Sequence, residues 1–404
     1  MAYSCPGDDS GRVCVAEKVP DPLLPVWPER MAIDAADPGL VVLVGRSPLV
    51  AGADAPGVDS YLRVGLSVST DGGLTWQDRL VPSLGPPGSA ILWPRVAVHE
   101  GVIHVASHFH PVPGMNADGS VRWAADEHHV AIARSDDLGE TWVLTEVARD
   151  GKAALAVVGS LLVAAGADEP SETVWAMWSE DNGSTWSAIL DGGPCGNVSN
   201  ILGTPHGIIV GCLPDGGPPF ADGHLHVLDP IANELRHLGA APAVDSWCGA
   251  SGVAWASDRF WVAGGCLPLA VWTSTDGSSW NETRILPPPP EGAGEASAVA
   301  IAASGNGSIH LLMTHSYETL PSCGCRAEFR HVAWTPEGEL LAEDLVGVIN
   351  IGTDGKSVSI PGIRARGLVP VEGEVWYMGG FGTVFIGTAH PRLVPADGRP
   401  AEAS

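Results

Sequence analysis

A short turn sequence recurs along this chain of 404 residues. It reads STDGGLTWQ at 69–77, SDDLGETWV at 135–143 and SEDNGSTWS at 179–187, and a shortened copy, STDGSSW, stands at 274–280. The three full copies share the pattern Ser-x-Asp-x-Gly-x-Thr-Trp. A repeat at this scale fixes the architecture before any catalytic residue is considered, because each copy marks one supersecondary unit.

Short apolar runs lie between the turns. They are rich in β-branched and aromatic residues, are separated by Gly, Pro and Asp, and show almost no helical periodicity. Examples lie at 40–46, 102–110, 160–166, 259–265, 308–315 and 374–380. These lengths and residue types are typical of buried strands, so an all-β fold is predicted.

The spacing of the turns gives the size of the unit. The central residues Asp71, Asp137, Asp181 and Asp276 are 66, 44 and 95 residues apart, and the last step is close to twice a period of about 47 residues. A strand, a turn and a strand are therefore expected near the missing position, at 226–238, and again at 331–343. Several strands per unit of this length predict the blades of a β-propeller.

Strand quartets predict a single seven-bladed propeller over residues 28–395, and a six-bladed propeller is the alternative. Residues 1–27 are predicted to form a disulfide-clipped N-terminal extension, and 396–404 a C-terminal tail. The predicted blades lie near 28–81, 92–148, 152–191, 196–240, 246–286, 296–345 and 358–395.

Charge limits the partners. Lys and Arg total 21 against 47 Asp and Glu, a formal net charge of -26, so nucleic acid and anionic membrane surfaces are poor partners. No apolar run reaches the roughly 18 residues that a membrane helix needs. The expected partner is a carbohydrate or a protein that binds where the innermost strands begin, at the axial face of the propeller.

Eight cysteines fall into local couples, which suit short disulfides between neighbouring strands. This usage predicts an extracellular or cell-surface protein. Because residues 1–14 lack a basic segment followed by an apolar core, a cytosolic chain with reduced cysteines is the alternative. The couples are Cys5 with Cys14, Cys195 with Cys212, Cys248 with Cys266, and Cys323 with Cys325. The pairing itself does not follow from the sequence, and for the closely spaced Cys323 and Cys325 a metal or more distant partner cysteines are the alternatives.

The repeated turn resembles the Asp box, or BNR repeat, of the sialidase superfamily. The resemblance implies that each copy joins the third and fourth strands of a blade and lies away from the active face. The physical chemistry agrees with such a turn: an Asp side chain caps turn amides, Gly takes a positive φ, and Trp packs between blades.

Cationic residues gather where the inner strands are predicted to begin. Arginines in WPERMAI, WPRVAV and GIRARGLV would form a bidentate clamp for a carboxylate or sulfate. The alternative is that each pairs with one of the abundant carboxylates. The predicted substrate-binding arginines of this group are Arg30, Arg95, Arg364 and Arg366, and further polar or aromatic residues at these positions are Glu29, Trp93, Lys152, Asn197, Asn200, Trp247 and Glu295.

The sialidase resemblance implies roles for residues near the first turn. Arg30 in ERMAI and Arg46 in LVGRS follow the family order of clamp arginines, and Asp54 or Asp59 stands where the general acid is expected; Asp59 is the predicted catalytic residue. Met-Ala replaces the Ile-Pro that follows the first arginine in the family.

A retaining sialidase also needs a Tyr nucleophile and a Glu base. Among four tyrosines, Tyr317 in THSYETLPSCGC is predicted to lie in a loop after the second strand of the sixth blade, with Glu318 beside it. Further clamp arginines are not evident, since Arg236 and Arg284 fall on predicted outer strands.

Histidines form a second candidate site, with His108 and His110 predicted to bind substrate. Neutral imidazoles serve as metal ligands or as acids and bases near neutral pH, so a lyase reaction on a uronate, with Tyr317 and Arg95, is one reading. No cofactor is predicted, although a structural or histidine-bound metal stays open. The histidines concerned are His104, His108, His110, His128, His129 and His315.

Two classes of function therefore follow from the sequence. One is a glycan-active enzyme, a hydrolase or lyase on an acidic sugar. The other is a non-catalytic binding or scaffold propeller for a glycan or protein partner, since propellers host many functions on one fold.

Overall fold

The computed structural model gives the conformation of most of the chain. The described residues are 2–4, 15–18, 27–46, 64–72, 75–82, 90–110, 114–115, 121–122, 129–147, 149, 151–168, 171–213, 223–242, 250–264, 269–283, 286, 295–304, 307–319, 324–335, 337–350, 367–371, 374–378 and 385–386.

Six antiparallel four-stranded sheets, named sheets I to VI in chain order, make up most of these residues. In each sheet the strands pair in sequence order. Sheet I contains Trp27–Ile33, Val41–Arg46, Val64–Ser69 and Gln77–Leu80; sheet II contains Ala90–His99, Val102–His110, His129–Ser135 and Val143–Val147; sheet III contains Ala153–Val158, Leu161–Asp168, Thr173–Ser179 and Leu190–Pro194. Sheet IV contains Val198–Thr204, Gly207–Cys212, His224–Asp229 and Glu234–Ala240; sheet V contains Ala250–Ala256, Arg259–Gly264, Ala270–Ser274 and Asn281–Thr283; sheet VI contains Glu295–Ala303, Ile309–Thr319, Gly324–Trp334 and Leu340–Asn350.

Seven shorter strands complete the described chain. Gly114–Met115 and Val121–Arg122 form a small hairpin between the second and third strands of sheet II. Gly367–Val371 pairs with Glu374–Met378. Val15–Lys18 lies between Ala2–Ser4 and Phe385–Ile386 and pairs with both, so strands from the two ends of the chain share one sheet.

The sheets follow one another around a common centre. The first strand of each sheet contacts the first strand of the next, from sheet I through sheet VI, and Gly367–Val371 contacts the first strands of both sheet VI and sheet I. Successive antiparallel quartets with neighbouring first strands are the arrangement of a β-propeller. The all-β prediction is confirmed, and no helix occurs among the described residues. In that part of the chain, accordingly, no helix has the length and apolarity needed to cross a bilayer.

The apolar core lies between sheets rather than at one centre. Five clusters of buried side chains each join two successive sheets, from I and II through V and VI. Neighbours on one strand serve opposite clusters: Ile209 packs towards sheet V and Val210 towards sheet III. Since successive side chains of a strand point to opposite faces, burial on both faces explains why the strands read as continuous apolar runs.

The repeated turns join the third and fourth strands, as predicted. In the second copy, Ser135 donates a hydrogen bond to Asp137 (Oγ to Oδ1, 2.9 Å), and Thr141 donates from its backbone N to Oδ1 (2.8 Å) and from its hydroxyl to Oδ2 (2.7 Å). The copies at Asp71 and Asp181 have the same three bonds.

These bonds favour the charged carboxylate. The hydroxyl and backbone N–H of Thr141 lower the pKa of Asp137 to about 2, and those of Thr185 do the same for Asp181. In the shortened copy, backbone N–H groups of Ser278 and Ser279 lower the pKa of Asp276. The repeated Asp therefore works as an anionic cap of its own turn.

Sheet IV replaces the repeat with a different turn at the predicted position. Asp229 Oδ1 accepts hydrogen bonds from the backbone N–H groups of Ile231 and Ala232, both at 3.0 Å. The second predicted strand-turn-strand unit is also present, between Gly324–Trp334 and Leu340–Asn350. Both predicted units are thus confirmed, with Asp229 capping the turn of sheet IV without the Thr-Trp ending.

The turns of sheets III and V also pack against the preceding sheet. Asn182, in the turn of sheet III, accepts a hydrogen bond from His104 Nε2 of sheet II (2.9 Å), donates to the backbone O of His99 (3.0 Å), and accepts at its backbone O from Arg134 Nε (2.8 Å). Trp280, in the turn of sheet V, donates to the backbone O of Ala240 in sheet IV (2.8 Å). The repeated turn therefore stabilises the contact between neighbouring sheets.

We expect Gly183→Ala to destabilise the protein through this contact. Gly183 has φ 79°, and a Cβ there would lie 2.8 Å from His104 Cε1. The left-handed conformation and the overpacking together should cost about 2–4 kcal/mol, measured by denaturant unfolding. Gly72→Ala is the control, because Gly72 has φ 71° but open space around it; equal losses in both variants would contradict the packing role.

Buried neutral histidines should make the fold acid-labile. Burial lowers the pKa of His104 and of His226 to about 4, and that of His310 to about 3, from 6.5. Between those values and pH 6.5 the unfolded chain binds more protons than the folded chain. The contribution of these histidines to the free energy of unfolding is therefore complete above pH 6.5 and is lost as the pH falls through 4.

His104→Gln tests this acid lability. The variant keeps a donor for Asn182 but cannot be protonated, and we expect it to lose less stability than the wild type between pH 6.5 and 4. Denaturant unfolding at several pH values measures the slope. A variant whose slope equals that of the wild type would show that His104 does not contribute.

Candidate functional site

Strand direction places one end of all six sheets opposite the repeated turns. The turns follow third strands, so antiparallel pairing puts the starts of the first strands and the ends of the second strands together at the other end. We name this end the upper face. Sequence reasoning located the candidate site at the same place.

The first strands are irregular near the upper face. In five of the six sheets the pairing of the first strand with the second shifts register, in four of them within the first half of the first strand and in sheet VI at its middle. The shifts lie between Pro28 and Arg30, Leu92 and Arg95, Val198 and Asn200, Ala250 and Val253, and Ala298 and Ala300. Bulges re-aim side chains and are common beside functional sites, so their shared position points to the upper face.

Sheet III is the exception. Ala153–Val158 pairs with Leu161–Gly166 residue by residue, without a shift. Its two first residues, Ala153 and Ala154, are buried and small. The irregular positions therefore come from the sheets on both sides of sheet III.

Arg30 and Arg95 lie directly after register shifts in neighbouring sheets. The sequences are related, WPER at 27–30 and WPR at 93–95, and a Pro in each suits a break in the ladder because it has no N–H to donate. Both arginine side chains are partly buried. These two arginines of the predicted clamp therefore lie on neighbouring first strands, towards the upper face.

The structure describes only part of the other residues predicted for this group. Arg46 is the last residue of the second strand of sheet I, opposite Trp27 and Val64, and its side chain is outside the described part. Asp59, its alternative Asp54, Arg364 and Arg366 lie outside the described residues.

Tyr317 and Glu318 lie within a strand, not in the predicted loop. The second strand of sheet VI continues to Thr319, where Tyr317 pairs with Arg326 and Glu318 with Cys325. The ladder with Gly324–Trp334 supplies the backbone hydrogen bonds that extend the strand this far. Both residues are near the upper end of their strand, and their side chains are outside the described part. Arg236 is on a fourth strand, as predicted, whereas Arg284 is outside the description.

The histidines do not form one cluster. His104 bonds to Asn182 of sheet III, and His108, four residues further along the same strand, is on the same face and buried. His129 stacks on Phe109, with ring centroids 5.4 Å apart, and His315 is buried in sheet VI. In the described ranges, no group of three or more His, Cys, Asp or Glu side chains is placed to hold a metal ion.

His110 ends its strand, with a side chain beyond the described part, and His128 lies outside it. The described histidines thus pack between and within sheets. Sequence reasoning grouped them because alternate strand residues share a face, but that face is covered by sheet III.

A polar network at the start of sheet IV carries a signal that the sequence prediction left out of its site. Asn200 Nδ2 donates to the backbone O of Val253 (2.7 Å), and the Val253 N–H donates to Asn200 Oδ1 (3.1 Å). Ser199 Oγ donates to the backbone O of Gly211 (2.9 Å). The amide of Asn200 thus satisfies both backbone groups of Val253, the residue that follows the register shift of sheet V. The signal in the sequence is the polar run NVSN at 197–200.

One predicted disulfide is confirmed. Cys195 and Cys212 are bonded, both are buried, and they join the residues before the first strand of sheet IV to the end of its second strand, at the upper face. The Cys195 N–H also donates to the backbone O of Glu172 in sheet III (2.7 Å). The remaining cysteines, or their side chains, lie outside the described part.

Loss of this disulfide should destabilise the protein by about 3 kcal/mol, the typical value for a loop of this length, since the two cysteines are 17 residues apart. The variant is Cys195→Ala with Cys212→Ala, compared with the wild type by denaturant unfolding without reductant. Equal free energies of unfolding would mean that the disulfide does not constrain the chain.

Neither a protein-family model nor a curated protein sequence matches this chain. Solved structures do resemble it. The β-propeller domain of the trilobed protease from Pyrococcus furiosus has a TM-score of 0.45 at 10% identity over 92% of this chain and 92% of that one. The GH74 xyloglucanase from Xanthomonas campestris has 0.43 at 16% over 89% and 66%, and Trypanosoma rangeli sialidase has 0.37 at 11% over 77% and 54%. At these scores the likenesses say nothing about the chemistry of this chain.

Proposed function

We propose that this chain is an exported seven-bladed β-propeller with Asp-box turns that binds an acidic sugar at its upper face and acts on it as a glycoside hydrolase or lyase. The observation that carries the proposal is the gathering of register shifts at the upper ends of the first strands, with Arg30 and Arg95 directly after two of them.

The seventh blade would be built from both ends of the chain. Gly367–Val371 contacts the first strands of sheets VI and I, which is the position of a seventh first strand. Glu374–Met378 pairs with it, and Phe385–Ile386 pairs with Val15–Lys18. We therefore assign Val15–Lys18 to the outer part of this blade, so that the propeller begins before residue 28 and its ring closes through strand pairing between the termini.

The turn geometry and the disulfide support the other structural parts of the proposal. The Ser, Asp and Thr bonds that recur at Asp71, Asp137 and Asp181 suit the Asp-box turn. The Cys195–Cys212 disulfide supports an oxidising compartment, because such bonds persist outside the cytosol.

An anionic ligand follows from the chemistry of the arginines. Guanidinium groups bind carboxylates in bidentate fashion, and only 21 Lys and Arg occur in the whole chain. We assign Arg46, Arg364 and Arg366 to the same clamp, Asp59 as general acid, and Tyr317 with Glu318 as nucleophile and base. We leave His108 out of the site, because its strand face is covered by sheet III.

One observation favours the alternative, a binding propeller without catalysis. The ladder that holds Tyr317 and Glu318 continues through Thr319, whereas a nucleophile on a loop could adapt its position more freely. In that case the upper face would hold an acidic glycan and release it unchanged.

Arg30→Ala and Arg95→Ala should each weaken binding of an acidic sugar at least tenfold, the effect expected when a charge-assisted hydrogen bond is removed. Titration calorimetry with N-acetylneuraminate and with glucuronate measures the affinity. The control is Arg236→Ala, which removes an equal charge from an exposed outer strand and should leave the affinity unchanged. If all three variants lose the same affinity, the arginines act only through the net charge of the protein, and the proposed clamp is wrong.

Turnover separates the enzyme from the binding protein. Sialosides and uronate polysaccharides are incubated with the wild type and with Tyr317→Phe, and released sugars or unsaturated products are quantified. Turnover that Tyr317→Phe abolishes supports the assigned nucleophile. Binding without turnover on either substrate class would establish the alternative.

A further inference from the structure

A buried side-chain oxygen at the upper face has no hydrogen-bond donor among the described residues. Asn197 is 6% exposed, and the atom is its Oδ1. Its amide neither caps a turn nor bridges two strands, unlike those of Asn182 and Asn200. A buried polar group left unsatisfied costs stability and calls for an explanation, and one explanation is a ligand that supplies the missing donor.

The backbone around Asn197 is firmly held. The Cys195–Cys212 disulfide closes two residues before it, and Val198, the next residue, pairs with Cys212. Three residues after it, Asn200 bonds to both backbone groups of Val253 in sheet V. The position of Asn197 is therefore fixed from both sides, as is usual for residues that bind a ligand with little loss of entropy.

The position of Asn197 among the sheets determines which part of a ligand it could contact. Asn197 immediately precedes the first strand of sheet IV, at the upper face, and that strand contacts the first strands of sheets III and V. In the proposed ring of seven blades, sheet IV lies across the centre from sheet I, which carries Arg30. A ligand whose anionic group meets Arg30 and Arg95 would extend its uncharged part towards sheet IV.

We infer that Asn197 is a ligand-binding residue whose Oδ1 accepts a hydrogen bond from a hydroxyl group of an acidic sugar bound at the upper face. The inference rests on the proposed function and adds a second recognition element to it. The carboxylate of the sugar selects for charge through the arginines, and the hydroxyl selects for stereochemistry through Asn197, because a buried amide rejects ligands that leave it unpaired.

The test compares Asn197→Leu with Asn200→Leu. Leucine has a similar volume and no polar atoms, so at position 197 it removes an unsatisfied group, and the melting temperature should rise. At position 200 it removes two bonds to Val253, and the melting temperature should fall. Ligand affinity is measured by calorimetry with N-acetylneuraminate and with glucuronate.

We expect Asn197→Leu to weaken the binding of at least one of the two sugars tenfold or more while the protein becomes more heat-stable. A purely structural residue, for example one that holds an internal water, would give a lower melting temperature and unchanged affinity, and that result overturns the inference. Wild-type binding with unchanged affinity in Asn197→Leu defeats the role of Asn197 alone. Absence of wild-type binding to both sugars defeats the proposed function and this inference together.

Discussion

Burial of both faces of every sheet is the constraint on which the rest of this structure depends. A four-stranded sheet made of continuous apolar runs cannot leave either face in water, since the hydrophobic effect scales with exposed apolar area. Sheets II to V therefore each pack between two others, as Ile209 and Val210 of sheet IV show by packing in opposite clusters. Sheets packed in this way follow one another around a common centre.

The repeated turn contributes contacts to the sheet that precedes it in the chain. Its Asp carboxylate organises the turn locally, and the residues after the Asp contact the sheet before it, as Asn182 does with His104 and Trp280 with Ala240. Local capping and packing between sheets are thus supplied by the same few residues. The turns at this end of the molecule therefore stabilise the fold. At the opposite end the first strands shift register, and side chains there can be directed at a ligand.

The upper face combines rigid support with irregular backbone. The disulfide at Cys195 and the amide of Asn200 hold the start of sheet IV. The first strands of sheets I, II, V and VI shift register, and such irregularities re-aim side chains. We propose that the arginines after two of these shifts clamp an anion and that the amide of Asn197 accepts a hydrogen bond from a hydroxyl group. The two groups are chemically different, and an acidic sugar contains a partner for each.

The sequence by itself determined the strands and the position and form of the turns, because these depend on interactions between residues near one another along the chain. It also indicated Cys195 and Cys212 as a local couple, whose disulfide the structure confirms. Only the tertiary structure decided which faces are covered. It placed His104 against Asn182, extended the strand of Tyr317 to Thr319, and paired Val15–Lys18 with Phe385–Ile386. The register shifts were not predicted from the sequence, since they arise from pairing between strands, and pairing of distant segments is settled by the packing of the whole molecule.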